Sequence, residues 1–65
     1  MHIYEIWESA ASFVLVEDGH EEKESLVRGC TLSVRFEAVD WKEANLLARL
    51  FGRKGKEALN RRLAS

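Results

Sequence analysis

Few side chains in this sequence are of the types that catalysis or metal binding requires. The two histidines are His2, at the start of the chain, and His20, before an acidic stretch where we expect an exposed side chain. Ser9, His20 and Asp18 supply the residue types of a hydrolytic triad, but such chemistry depends on mutual geometry that spacing does not provide. No His, Cys and carboxylate spacing matches a zinc or calcium site. We therefore predict no catalytic residue, no cofactor and no metal, and a protein that is not an enzyme.

Two further polar side chains have structural interpretations. Glu5 lies among aromatic residues and could be a buried catalytic carboxylate, although an ion pair with Arg35 is the favoured interpretation. Cys30 is the only cysteine, so the chain forms no internal disulfide, and we interpret it as a small, partly buried apolar residue. A lone cysteine in a short chain favours a reducing compartment, and the predicted location is the cytoplasm.

The most suggestive segment is basic and contains two glycines. Gly52-Arg53-Lys54-Gly55-Lys56 resembles the GxxG loop of KH domains, in which glycines let a nucleic-acid backbone approach and basic side chains contact it. The candidate nucleic-acid contacts, whose binding would weaken steeply with salt, are Gly52, Arg53, Lys54, Gly55, Lys56, Arg61 and Arg62. The alternative, favoured because Ala58 replaces a large aliphatic residue of KH domains, is a corner between two helices with a solvated basic face.

The charges are unevenly distributed along the chain. Residues 1–40 contain nine acidic and three basic side chains, whereas residues 41–65 contain seven basic and two acidic ones, for a net charge of −1. The two halves can neutralise each other within one fold, or the basic tail can face an acidic partner, including the acidic front of another copy. With 65 residues the chain is one domain, residues 1–65, with a small core.

Hydrophobic periodicity predicts an α+β fold in the order β-β-α-β-α-α. Runs rich in β-branched and aromatic residues predict strands at 2–8, 13–17 and 31–37. An acidic first turn and a following glycine predict a short helix at 20–28. Asp40 with Glu43 predicts a capped helix, with Val39 and Ala44 as a hydrophobic staple. Its predicted apolar face contains Ala44, Leu47, Ala48 and Phe51, widened by Leu46 and Leu50, and Gly52 is predicted to end it.

We predict a three-stranded antiparallel sheet packed against helices, with a last helix at 55–64 whose residues Ala58, Leu59 and Leu63 point inward. The first two strands are apolar on both faces, so the second face of the sheet needs a cover. Either the last helix or another molecule can provide it, since a large exposed apolar patch marks an interaction site. The candidate interface residues are Ile3, Trp7, Val14 and Val16.

The order of several short motifs resembles a family of small bacterial proteins of unknown function. These motifs are Tyr4-Glu5, Trp7-Glu8-Ser9, Gly29, Phe36-Glu37-Ala38, Trp41-Lys42-Glu43-Ala44 and Phe51-Gly52. The resemblance spans residues 4–52, and Arg53-Lys54-Gly55-Lys56 replaces the Trp-x-Pro-Tyr ending of the family. The family implies no chemistry. We predict a non-enzymatic interaction or regulatory module that self-associates or binds a protein, with no membrane association; the alternative is an RNA- or DNA-binding protein.

Overall fold

The computed structural model describes residues 1–64 and has a three-stranded antiparallel sheet in the order β2-β1-β3. The strands are β1 (His2–Glu8), β2 (Phe13–Glu17) and β3 (Thr31–Ala38). The first strand of the chain is therefore the central one. These bounds agree with the predicted strands to within one residue, and the α+β class is confirmed.

Strand register determines which residues share a face of the sheet. Tyr4 lies opposite Glu17 of β2 and Phe36 of β3, and Ile6 lies opposite Val34. Directly opposed residues in antiparallel strands point to the same face. Tyr4, Ile6, Val34 and Phe36 therefore form one apolar face, and all four are buried.

Helix α2 (Trp41–Lys54) packs on this face. The Asp40 carboxylate accepts the Glu43 backbone N–H at 2.9 Å, and the Glu43 carboxylate accepts the Val39 N–H at 2.9 Å. This reciprocal cap confirms the predicted start of the helix. Val39 is exposed, however, so the predicted staple is wrong.

The buried face of α2 consists of Ala44, Ala48 and Phe51, with Leu47 partly buried, as predicted. Leu46 and Leu50 were predicted to widen this face, but both are exposed. Because Ala44 and Ala48 are small, the helix lies close to the sheet. A narrow stripe of apolar side chains on α2 is then enough to fill the contact.

The predicted C-terminal helix at 55–64 is wrong beyond its first turn. Gly55 has a positive φ of 69° and ends α2, and Gly55–Leu59 is a short 3₁₀ helix that buries Leu59 in the core. The chain then runs beside β3, where the Glu37 N–H donates to the Arg62 carbonyl at 2.7 Å and the Ala64 N–H to the Arg35 carbonyl at 2.9 Å. Pairing with β3 satisfies backbone groups that a helix would leave open.

Helix α1 (Lys23–Leu26) is shorter than the predicted 20–28. The turn at Asp18-Gly19 precedes it, and Gly29, with a φ of 79°, follows it in the predicted position. No helix in residues 1–64 is both long and apolar enough to cross a membrane.

Candidate interaction surface

A buried carboxylate lies at the centre of the second face of the sheet. The Glu5 side chain is only 4% exposed, and its Oε1 lies 2.7 Å from Lys23 Nζ. Its Oε2 lies 3.2 Å from Arg35 Nε, which confirms the predicted Glu5–Arg35 pair. The Trp7 indole N–H donates to Oε1 at 2.9 Å. Cations and a neutral donor therefore stabilise the charge that burial would otherwise penalise.

The ion pairs continue to the surface through Asp18. Its carboxylate lies 3.1 Å from Arg35 Nη2 and 3.6 Å from Lys23 Nζ, and Lys23 Nζ is 5.8 Å from the centroid of the Trp7 ring. The hydrogen bond to Glu5 is the main cause of a raised Lys23 pKa. This cluster of Glu5, Trp7, Asp18, Lys23 and Arg35 ties α1 to β1 and β3. Its ion pairs join three elements of the fold, so we interpret it as a structural element.

The cluster and α1 provide part of the cover that the second face needs. Val16 is buried within the chain, and Ile3, Trp7 and Val14 are half-buried. Neither the C-terminal segment nor another molecule is needed to bury the Val16 side chain, and its role in an interface stays a prediction. Ile3, Trp7 and Val14 stay candidate interface residues.

The free edge of β2 is the more open surface. The Asp18 N–H donates to the Ile3 carbonyl at 2.9 Å, and Glu5 lies opposite Val16. In an antiparallel ladder, the backbone groups of alternate residues point to the same neighbour. The backbone N–H and C=O groups of Val14 and Val16 therefore point toward β1. The backbone groups of Phe13, Leu15 and Glu17 point away from the sheet. The Glu17 carbonyl accepts the His20 N–H at 3.1 Å, and within residues 1–64 no backbone hydrogen bond joins Leu15 on this side.

Two large apolar side chains flank this edge. Leu26 of α1 and Trp41 of α2 line one groove together with Leu15, Val16, Glu17 and His20. Leu26 is 45% exposed and Trp41 is 51% exposed, so both present apolar surface to solvent on either side of the β2 backbone. The edge is thus an unpaired strand within an apolar groove. Sequence reasoning missed both residues, because the position of α1 relative to α2 has no local signal.

The opposite edge of the sheet, formed by β3, is paired in part with the C-terminal segment of the chain. Residues 62–64 pair with β3 there, and Arg62 Nη1 lies 2.6 Å from Glu43 Oε1. The hydrogen bond from the Val39 N–H is the main cause of a lowered Glu43 pKa, and the hydrogen bond from Arg62 is the second. One carboxylate thus caps α2 and anchors the C-terminal segment, so the chain covers the second half of this edge itself.

The predicted glycine loop is wrong, because α2 continues through Gly52, Arg53 and Lys54. Gly52 faces the ring of Phe13, and the Gly55 N–H donates to the Phe51 carbonyl, so this backbone is helical and not an open cradle for a phosphate. The side chains of Arg53, Lys54, Lys56 and Arg61 are exposed, whereas Arg62 is half-buried against Glu43. Nucleic-acid contact by these side chains stays a prediction.

The two glycines differ in conformation, so alanine should affect them in opposite directions. A Cβ at Gly52 would lie 3.5 Å from the Phe13 ring, which is ordinary contact, and a helical Gly→Ala change gains about 0.5–1 kcal/mol. At Gly55 the positive φ is unfavourable for alanine by about 1–2 kcal/mol. We expect Gly52→Ala to stabilise and Gly55→Ala to destabilise in urea unfolding. Equal effects of the two substitutions would contradict this geometry.

The remaining candidate residues do not form a site. Ser9 hydrogen-bonds within the β1–β2 loop, whereas Asp18 and His20 lie at the other end of β2, so the three are not brought together. His2 Nδ1 lies 3.3 Å from the Glu17 carboxylate at the surface, and Cys30 is half-buried. Within residues 1–64, no group of three or more His, Cys, Asp or Glu side chains could hold a metal ion.

No protein-family model, no curated protein and no solved structure matches this chain. The resemblance of residues 4–52 to a family of small bacterial proteins therefore stays a prediction.

Proposed function

We propose that this chain is a non-enzymatic protein-interaction module that accepts a strand of another polypeptide along the free edge of β2. The observation that carries the proposal is the outward-pointing backbone of Leu15 in the groove between Leu26 and Trp41. Strand addition at a sheet edge derives affinity from main-chain hydrogen bonds and specificity from pockets for alternate side chains. The outward backbone groups of β2 can make these hydrogen bonds, and the groove beside Leu26 and Trp41 can accept side chains.

The contrast between the two edges supports this assignment. Soluble proteins protect exposed edges with charged or proline residues, bulges or a covering segment. Residues 62–64 cover the second half of the β3 edge in this way. The β2 edge has no proline, and its one charged residue, Glu17, lies at its end. The single cysteine supports a reducing compartment, so we propose the cytoplasm as the location of this interaction.

The test is a backbone change that removes one outward donor. Chemical synthesis of the 65-residue chain allows an N-methyl group on Leu15, which deletes the outward N–H and keeps the side chain. The probe is a fluorescent peptide with the sequence of residues 12–18, titrated by anisotropy. We expect saturable binding by the unmodified protein and at least about tenfold weaker binding after methylation, because a hydrogen bond is lost and a carbonyl is left unpaired.

The matched control places the same methyl group one residue further along, on Val16. Its N–H points toward β1, so this change should destabilise the sheet in thermal unfolding, whereas the Leu15 variant should keep its far-UV circular dichroism. Absence of peptide binding by the unmodified protein, or equal binding by the Leu15 variant, would overturn the proposal.

A further inference from the structure

The two ends of the β2 edge carry opposite charge. At its C-terminal end lie Glu17 and the turn that follows, and the exposed carboxylates of Glu21 and Glu22 are next to them. Asp18 also lies here, but its charge is compensated by Arg35 and Lys23. Glu17 has only His2 as a partner, and no cation lies within 4 Å of Glu21 or Glu22 among residues 1–64. This end of the edge is therefore acidic.

The N-terminal end of β2 lies beside the basic end of α2. The Phe13 ring packs edge-on against Phe51, with centroids 6.4 Å apart, and lies where a Cβ at Gly52 would meet it at 3.5 Å. Arg49 precedes Gly52 by three positions and lies on the flank of the helix next to this contact, and Arg53 follows Gly52 in the last turn of α2, on its solvent side. Both side chains are exposed, and neither has a carboxylate within 4 Å in the described part of the chain. The exposed Glu8 lies opposite Phe13 at this end, and the two arginines outnumber it, so this end of the edge has a net positive charge.

We propose that the strand accepted at the β2 edge belongs to a second copy of this chain, paired antiparallel about a two-fold axis at Leu15. The inference rests on the proposed function of that edge. The axis places Leu15 opposite Leu15 of the second copy and Phe13 opposite its Glu17. The outward backbone groups of Phe13 and Leu15 and the outward N–H of Glu17 then face those of the same three residues, while the Glu17 carbonyl keeps its bond from the His20 N–H, and the two sheets become one.

Charge complementarity selects this partner and this direction. In the antiparallel arrangement, the acidic end of each copy meets the basic end of the other, and the two-fold axis repeats the contact. A parallel arrangement would place like charges together, which costs free energy and suppresses association. The β2 edge therefore has the same division of charge as the sequence. The carboxylates at its acidic end come from residues 1–40, and the arginines at its basic end come from residues 41–65.

The experiment reverses charge at each end and then mixes the variants. Arg49→Glu/Arg53→Glu makes both ends acidic, and Glu21→Lys/Glu22→Lys removes two carboxylates and adds two cations at the other end. In sedimentation equilibrium we expect the wild type to form dimers, more weakly at about 500 mM than at about 50 mM salt because charges are screened. Each variant alone should dimerise at least about tenfold more weakly. An equimolar mixture should regain dimerisation, because the two reversed ends face each other.

Several outcomes separate this inference from the proposed function. If the wild type stays monomeric while the peptide of residues 12–18 binds, the edge accepts strands but the second copy is overturned as its partner. If both variants dimerise as the wild type does, or the mixture does not associate, the charge argument is wrong. If N-methylation of Leu15 abolishes peptide binding but leaves dimerisation unchanged, the copies associate through another surface.

Discussion

Lys23→Met is expected to lower the free energy of unfolding by about 3 kcal/mol, because it leaves the buried Glu5 carboxylate without its nearest cation. Lys23 Nζ lies 2.7 Å from Glu5, whereas Arg35 Nε lies at 3.2 Å and is shared with Asp18 through the same guanidinium. Methionine has a side chain of similar length and no charge, so the change isolates the charge. A domain of 65 residues has about 3–10 kcal/mol in total, so this loss would be easy to measure by urea unfolding.

The matched variant removes the carboxylate instead. Glu5→Leu leaves Lys23 and Arg35, whose side chains are 27% and 31% exposed and can turn toward water. We expect it to cost clearly less than Lys23→Met, and the double variant Glu5→Leu/Lys23→Met to be more stable than Lys23→Met alone. A loss below about 0.5 kcal/mol for Lys23→Met would show that the pair is no more important than an exposed one.

Leu59→Ala is expected to destabilise the fold by about 2–5 kcal/mol, the range for truncating a fully buried leucine. Leu59 is 0% exposed and lies in the core cluster with Phe36, Ala48 and Phe51. It is the residue through which the 3₁₀ helix packs on the sheet and α2. Its loss should weaken the segment that follows, and amide hydrogen exchange should show faster exchange of the Glu37 and Ala64 N–H groups.

The control is the same substitution four residues further along. Leu63 is 45% exposed beside β3, so Leu63→Ala should cost less than about 1 kcal/mol. Comparable losses at Leu59 and Leu63 would mean that the segment from residue 55 onward contributes little to the core, contrary to the structure.

The strands and the main helix were predictable because their signals are local. Alternating apolar residues predicted β3, and the Asp40–Glu43 cap predicted the first residue of α2 correctly. The Glu5–Arg35 pair was also accessible, since Arg35 falls on the polar side of β3 and Glu5 is a lone carboxylate among apolar residues that needs a cation. Lys23 was missed as the second partner, because it comes from a helix whose position over the sheet depends on tertiary packing.

Residues 55–64 show why the rest was not predictable. Ala58, Leu59 and Leu63 have helical spacing, which fits both a continuous helix and a 3₁₀ turn followed by an extended segment. The positive φ of Gly55 and two hydrogen bonds to β3 decide between them, and both depend on the folded neighbourhood. The direction of the Leu15 N–H depends likewise on strand register, which no single strand reveals.

The partly covered β3 edge has a consequence for how far this sheet can grow. A monomer with two open edges is bifunctional in the sense of polymer chemistry, and edge-to-edge addition then continues without limit into fibres. Within residues 1–64, the segment 62–64 pairs with the second half of β3 and leaves residues 31–34 without a strand partner on that side. The segment therefore halves the second edge at which a chain of molecules could grow once β2 is paired.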